Sequence, residues 1–438
     1  MVRLKGFDLL ALGFLTFALF LGAGNIIFPA SAGLAAGDRL WSTAAGFLLT
    51  GVGLPLLTVV ALARVGGGMP GLTAPLGRKA GVLLAVAVYL AVGPLFATPR
   101  TAVVSFEIGV VPFVGDSALA LLIYTSLYFA VALFFVLSPG RLLDRVGKVV
   151  TPVLLLALLV LGGAALFMPA GAPGAASDSY REQPMLNGFL DGYLTMDALG
   201  ALVFGVVIAT AVRGRGITDL GLITRYTSIA GLIAAVGLSA VYLSLFYLGA
   251  GSHEVAQGAE NGGQVLTAYV EHTFGRGGIL LLSGVILLAC LTTGVGLLVA
   301  CGEFFSDLLR IPYSLVVWVF TLFSFAVSNI GLNQLISLSI PVMAGLYPLA
   351  IVLVVLSLLD RFWLSSSRVM IPVMAVTLFF GMIDGFRSTG VDVALPWMLD
   401  RLPLAGLNLG WVVPVVSTLA LAILWDRIHG RPLLQERP

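Results

Sequence analysis

Asp197 stands in the run NGFLDGYLTMDALGALVFGVVIATAV, with Thr195 two residues before it and Gly192, Gly200 and Gly205 around it. A carboxylate inside so apolar a stretch costs several kcal/mol unless it is paired, solvated or protonated, which makes it a functional candidate by default. The competing account is a structural pair with Arg100. A second interruption lies near the N-terminus, in GFLTFALFLGAGNIIFPASAG, where Gly22, Gly24 and Asn25 break an apolar run and Pro29 follows. Close packing through small residues would account for the glycines alone. Glycines costing roughly 1 kcal/mol each, an Asn and a Pro together predict an unwound helix, which membrane depth tolerates only beside protein or a water-filled cavity.

Two further stretches carry polar groups. ILLACLTTGVGLLVACGEFF puts Ala289, Thr292 and Gly296 on one helical face with Thr293 adjacent. Hydroxyls bonded back to carbonyls one turn earlier are the ordinary state of such threonines, yet two hydroxyls and a carbonyl also make the all-oxygen site that a hard cation needs. AVGPLFATPRTAVVSFEIG holds Arg100 and Glu107, two helical turns apart and on one face. Glu107 falls at the outer surface, and Arg100 serves either to tie helix ends and carboxylates inside a bundle or to gate.

The elements that must position these residues are membrane helices. Of the 438 residues 59% are apolar and 10% charged, whereas soluble domains are roughly 25% charged. Apolar stretches of about 20 residues, enough to cross a bilayer, recur along the whole chain. They predict about twelve spans: 7–36, 41–63, 80–107, 117–137, 146–168, 187–212, 220–250, 277–305, 312–329, 332–359, 369–386 and 406–425. The two interruptions then fall in spans 1 and 6. These are corresponding positions if spans 1–5 and 6–10 are two repeats, and an odd number of spans inverts the second copy. Half-helix N-termini suit a carboxylate, and freed carbonyls suit an ammonium or a cation, so an amino-acid zwitterion fits both.

Orientation follows from Lys and Arg. With the N-terminus inside, 17 of the 23 lie on the cytoplasmic face, five outside (Arg39, Arg181, Arg276, Arg387 and Arg401), and Arg100 within a span. Both termini are therefore expected in the cytoplasm, and the net charge of +2 is a topology signal with no bearing on nucleic acid. The first span belongs to the mature architecture rather than to a removed signal peptide. The longest polar stretches, 169–186 and 251–276, read as loops too short for a soluble domain, so any chemistry belongs in the membrane. No GxxxxGK[ST] pattern occurs, so energy must come from a gradient or a partner. Cys290 and Cys301 share a helix about 16 Å apart, too far to bridge. His253, His272 and His429 fall outside the spans, which weakens every enzyme reading, a membrane-embedded transferase included. Nor is there a charged or carbonyl-rich filter repeat to suggest a channel.

Taken together, GFLTFALFLGAGNIIFP, VGPLFATPRTAVVSFE, GYLTMDALGALVFG and CLTTGVGL resemble the branched-chain amino acid carrier family of bacteria, the BrnQ type, and SNIGLNQLISLSIPV and SSRV extend the likeness over essentially the whole chain. The resemblance implies uptake of leucine, isoleucine and valine across the bacterial cytoplasmic (inner) membrane. It implies coupling to sodium or a proton, with no covalent cofactor and no ATPase subunit. The fold implied is all-α and LeuT-like: a first inverted repeat over 1–168, a second over 187–359, two additional helices over 369–425 and a cytoplasmic tail, 426–438. Substrate would then lie between the breaks, lined by Phe20, Gly22, Ala23, Gly24 and Asn25 from span 1 and by Leu194, Thr195, Met196 and Asp197 from span 6. A sodium site would use carbonyls of Ala18, Leu21 and Ala289 and hydroxyls of Thr292 and Thr293. Asp197 stands where better-known LeuT-like transporters have a serine, so it is open to the ammonium, a cation or a proton. A proton-coupled carrier of another neutral amino acid is the rival, and the threonine pair is what that carrier would not need.

Overall fold

The computed structural model describes residues 4–66, 68–137, 141–390, 404 and 409–429. Arg3, Arg401, Arg431, Arg437 and most of the expected tail lie outside them. Among the described residues the structure is helical with no strand. Eight helices are long and apolar enough to cross a membrane, nine with the bent pair Pro184–Leu194 and Asp197–Arg213 taken as one span. Gly6–Phe20, Val153–Phe167 and Tyr313–Ser328 are shorter apolar helices.

Span 1 is two helices, Gly6–Phe20 and Gly24–Ala36. The break falls ahead of Pro29, which continues inside the second helix. Leu21 turns extended, with φ −75° and ψ 90°, and the Gly22 N–H donates to the Asn25 side-chain oxygen at 2.9 Å in place of a helical carbonyl. Span 6 bends by 41° between Leu194 and Asp197. There Met196 takes a left-handed φ of 63°, which costs a side-chain-bearing residue about 1–2 kcal/mol. The Thr195 hydroxyl occupies backbone groups on both sides of the bend, donating to the Gly192 carbonyl at 2.9 Å and accepting from the Asp197 N–H at 3.4 Å.

Two expectations are corrected. Span 3 is not continuous: helix Arg78–Leu90 widens at Ala91–Leu95, leaves helical geometry at Gly93 (φ −86°, ψ −114°), and restarts as Ala97–Gly109. Pro94 removes a helical donor at that point, and the restart puts Arg100 in a first turn. The stretch 251–276 is not an open loop either. A helix begins at Gly262, capped by the Asn261 side chain, and passes through a bend at Gly275 (φ 65°) into span 8 as far as Leu309. At the other end of the chain, helix Val412–His429 carries span 12 four residues into the expected tail.

The helices sort into groups by packing. The second half of span 1 lies on span 7, and the first half of span 6 on span 2. In both contacts backbone meets backbone: a Cβ on Gly249 would overlap the Ala30 carbonyl, and one on Gly188 the Thr43 carbonyl. The restarted half of span 3 packs on span 8, which with spans 4 and 9 makes a second group, and spans 10, 11 and 12 follow in series.

Candidate functional site

Asp197 is the first residue of the second half of span 6, so the break delivers its carboxylate toward the break in span 1. One carboxylate oxygen accepts from the Asn25 side-chain amide at 2.6 Å and from the Tyr242 hydroxyl at 2.7 Å. The same Asn25 amide also donates to the Tyr242 oxygen, closing a triangle. Tyr242, from span 7, is held edge-on by the Phe47 ring of span 2 at 5.3 Å. All three polar residues are buried, at 2%, 5% and 0% exposure for Asn25, Asp197 and Tyr242. A buried carboxylate requires such donors, and here both fall on one of its two oxygens.

Arg100 is buried as well and its charge is felt at Asp197, but its hydrogen bonds go elsewhere. Among the described residues no ion pair within 4 Å joins the two, so the paired reading of Asp197 gives way to the Asn25–Tyr242 triangle. The guanidinium donates instead to the Leu194 carbonyl at 2.6 Å and to the Ser339 hydroxyl at 3.3 Å, and lies 4.9 Å from the centre of the Phe28 ring. It thus caps the C-terminal end of the first half of span 6, where helix carbonyls are unpaired and a positive charge is favoured. Gly24 makes room for it, since a Cβ there would stand 3.2 Å from the guanidinium.

Between the breaks lies a cavity of about 50 Å³. Its walls include Phe20, Gly22, Ala23, Gly24, Asn25, Thr195, Met196 and Asp197, all expected there, together with Arg100 and Thr293. Leu194 faces a different cavity. Of the expected sodium ligands only Thr293 lines this wall, against Gly22; Ala18, Leu21, Ala289 and Thr292 do not. The Thr292 hydroxyl bonds back to the carbonyls of Leu288 and Ala289, at 2.8 and 2.9 Å. Glu107 lies away from this cavity and accepts from the side chains of Asn261 and Gln264 at 3.2 and 2.8 Å.

Tyr242 and Ser339 went unrecognised in the sequence. Both sit in apolar helices, where a lone serine most often bonds its own backbone and a lone tyrosine reads as packing, and only the approach of Asn25, Asp197 and Arg100 marks them out. Among the described residues no group of three His, Cys, Asp or Glu side chains could hold a metal ion.

The arrangement resembles known proteins at two levels. Residues 5–429 match the family described as branched-chain amino acid transport protein. The chain is 67% identical over 432 residues to the branched-chain amino acid transport system 2 carrier protein of Pseudomonas aeruginosa, covering 99% of both chains. It is 52% identical over 429 residues to the branched-chain amino acid permease BrnQ of Escherichia coli K12, covering 98% of both. Among solved structures it superposes on MhsT in complex with L-phenylalanine, with a TM-score of 0.59 at 14% identity over 94% of this chain and 98% of that one. The Eremococcus coleocola manganese transporter matches with a TM-score of 0.57 at 13% identity, over 98% and 97%. These likenesses show that the fold is LeuT-like.

Proposed function

The chain belongs to the branched-chain amino acid transport protein family, a family of multi-pass membrane carriers and not of enzymes, and from that premise we propose that it takes up leucine, isoleucine and valine by cation symport. The observation that carries this reading is the meeting of two broken helices on one small cavity whose wall combines a hydrogen-bonded carboxylate with apolar side chains. The amino acid enters when the two breaks part and widen the present cavity of about 50 Å³, its ammonium toward Asp197 and the freed carbonyls, its side chain against Phe20 and Met196. Sodium, in preference to a proton, couples uptake at the carbonyls of Ala18, Leu21 and Ala289 and the hydroxyls of Thr292 and Thr293. Support comes from Thr293, which lies against the span 1 break, and a hydroxyl that donates to a backbone carbonyl, as Thr292 does, still has a lone pair for a cation. The chain works by alternating access in the bacterial inner membrane, with both termini cytoplasmic, as an inverted pair of repeats, 1–168 and 187–359. The two additional helices span 369–425, and the tail is 426–438.

A proton-coupled carrier is the second reading, favoured by one observation: Asp197 is a buried carboxylate without a cationic partner within 4 Å among the described residues. The purified protein in liposomes, given labelled leucine and either a sodium or a proton gradient, separates the two. Accumulation under the sodium gradient alone supports the first; accumulation under the proton gradient alone replaces it. Thr293→Val keeps the shape and removes one oxygen, so the sodium concentration for half-maximal uptake should rise about tenfold or more, equivalent to about 1.4 kcal/mol. An unchanged sodium response would remove Thr293 from the site.

The pocket's selectivity can be read from competition. Unlabelled isoleucine and valine should displace labelled leucine within about an order of magnitude of leucine itself, since one methylene changes binding by only ~1–3 kcal/mol. Lysine and glutamate should compete poorly, because their second charge would be buried among apolar walls without a partner. Lysine as potent as leucine would contradict the pocket.

A further inference from the structure

Two buried charges line the central cavity, Arg100 at 2% exposure and Asp197 at 5%, and no other residue on its wall has an ionisable side chain. They are of opposite sign, yet among the described residues no ion pair within 4 Å joins them. Each therefore keeps part of the cost of its lost hydration, which a directly bonded partner would offset. An amino-acid zwitterion carries the complement of both, on groups joined through a single carbon. Asp197 suits the ammonium, which leaves the carboxylate to be placed.

Arg100 has a free donor for it. One terminal nitrogen of the guanidinium donates to the Leu194 carbonyl at 2.6 Å and the other to the Ser339 hydroxyl at 3.3 Å. The third nitrogen, Nε, is buried and has no hydrogen-bond partner among the described residues. A guanidinium is planar and holds its donors in a rigid fork, so the two bonds that pin its ends also fix the direction of Nε–H. A buried N–H without an acceptor costs stability, and a carboxylate oxygen removes that cost with a charge-assisted bond. The surroundings suit an anion. Gly22, Ala23, Gly24 and Asn25 line the same cavity, which puts the N-terminal end of helix Gly24–Ala36 on its wall, and that end of a helix favours negative charge.

We propose that Arg100 is the carboxylate-binding residue of the central site: its Nε–H takes the carboxylate of the amino acid whose ammonium faces Asp197. The site then demands both charges of an α-amino acid, set on opposite walls, before any side chain is chosen. That the amino acid is leucine, isoleucine or valine rests on the uptake reading above.

Leucine and leucinol, in which CH2OH replaces the carboxylate, test the assignment. Binding of each to the purified full-length protein is measured by calorimetry in wild type, Arg100→Gln and Arg100→Lys, with folding checked by thermal stability, and leucine uptake is measured in liposomes. Wild type should bind leucinol about a hundredfold or more weakly than leucine, because a site built to bond a polar group rejects the analogue lacking it. In Arg100→Gln the two ligands should come within about tenfold of each other, since only leucine loses a charge-assisted bond. Arg100→Lys keeps the charge without the fork and should fall between. General damage to the fold weakens both ligands alike, so the ratio isolates the carboxylate contact. Equal affinity of wild type for leucine and leucinol would overturn the assignment, as would an unchanged ratio in whichever variant folds. Leucine bound with the expected ratios but not accumulated in liposomes fails the uptake reading and leaves the carboxylate site standing; accumulation with an unchanged ratio does the reverse.

Discussion

Replacing Asp197 by Asn is expected to yield a folded, membrane-inserted protein whose leucine accumulation falls about a hundredfold, or ~2.7 kcal/mol at 1.36 kcal/mol per tenfold. The geometry separates the two effects. Both hydrogen bonds to Asp197 end on one carboxylate oxygen, and an Asn side-chain oxygen in the same place accepts both from Asn25 and Tyr242. What the substitution removes is the charge and the capacity to hold a proton, and those are what an ammonium, a cation or a titrating step would use. Expression, thermal stability and uptake should be measured on the same preparations. Wild-type uptake by the folded variant would make Asp197 structural only. Joint neutralisation of Arg100 should bring no rescue, because Arg100 is bonded to Leu194 and Ser339 rather than to Asp197.

Gly188→Ala should act on stability instead. Gly188 of span 6 faces the Thr43 carbonyl of span 2, and Gly46 of span 2 faces the Met185 carbonyl of span 6, so neither helix can retreat from an added methyl without losing the other contact. Overpacking costs typically 1–3 kcal/mol and occasionally more. Here the obstacle is backbone, so a loss of about 3 kcal/mol or more is expected, read as a lower thermal midpoint and less folded protein. Gly163→Ala is the control: nothing stands within 4 Å of its Cβ position, and a mid-helix Gly→Ala change should be neutral or stabilising by up to ~1 kcal/mol. Equal midpoints for the two variants would refute the close contact.

The broken helices were legible because their signals are local. Gly22, Gly24 and Asn25 cannot all be explained by packing, and Asp197 cannot sit in an apolar span without a partner. The identity of that partner was not legible. Asn25, Tyr242 and Asp197 are 172, 217 and 45 residues apart in their pairings, and no periodicity reports such an approach. Span 3 carried Pro94 and Pro99 openly, yet its uninterrupted hydropathy concealed the break at Gly93. The helix from Gly262 was hidden for the opposite reason, since its glycine-rich, polar start has the composition of a loop. The threonine pair illustrates a limit of pattern alone. Here Thr293 lines the cavity while the Thr292 hydroxyl donates to the carbonyls of Leu288 and Ala289, a difference that two adjacent threonines in a sequence do not announce.

Arg100 joins parts that otherwise belong to different bodies. It rises from span 3, packed on span 8, and its bond to the Leu194 carbonyl ends on span 6, packed on span 2. Any sliding of one body past the other has to break that bond or stretch it. A hydrogen bond from a charged donor is worth ~1.5–3 kcal/mol, which as a contribution to a barrier slows exchange roughly ten- to a hundredfold. Under the alternating-access reading proposed above, the guanidinium is therefore a latch with a timescale: it would set how long the two bodies dwell in one arrangement before they trade places.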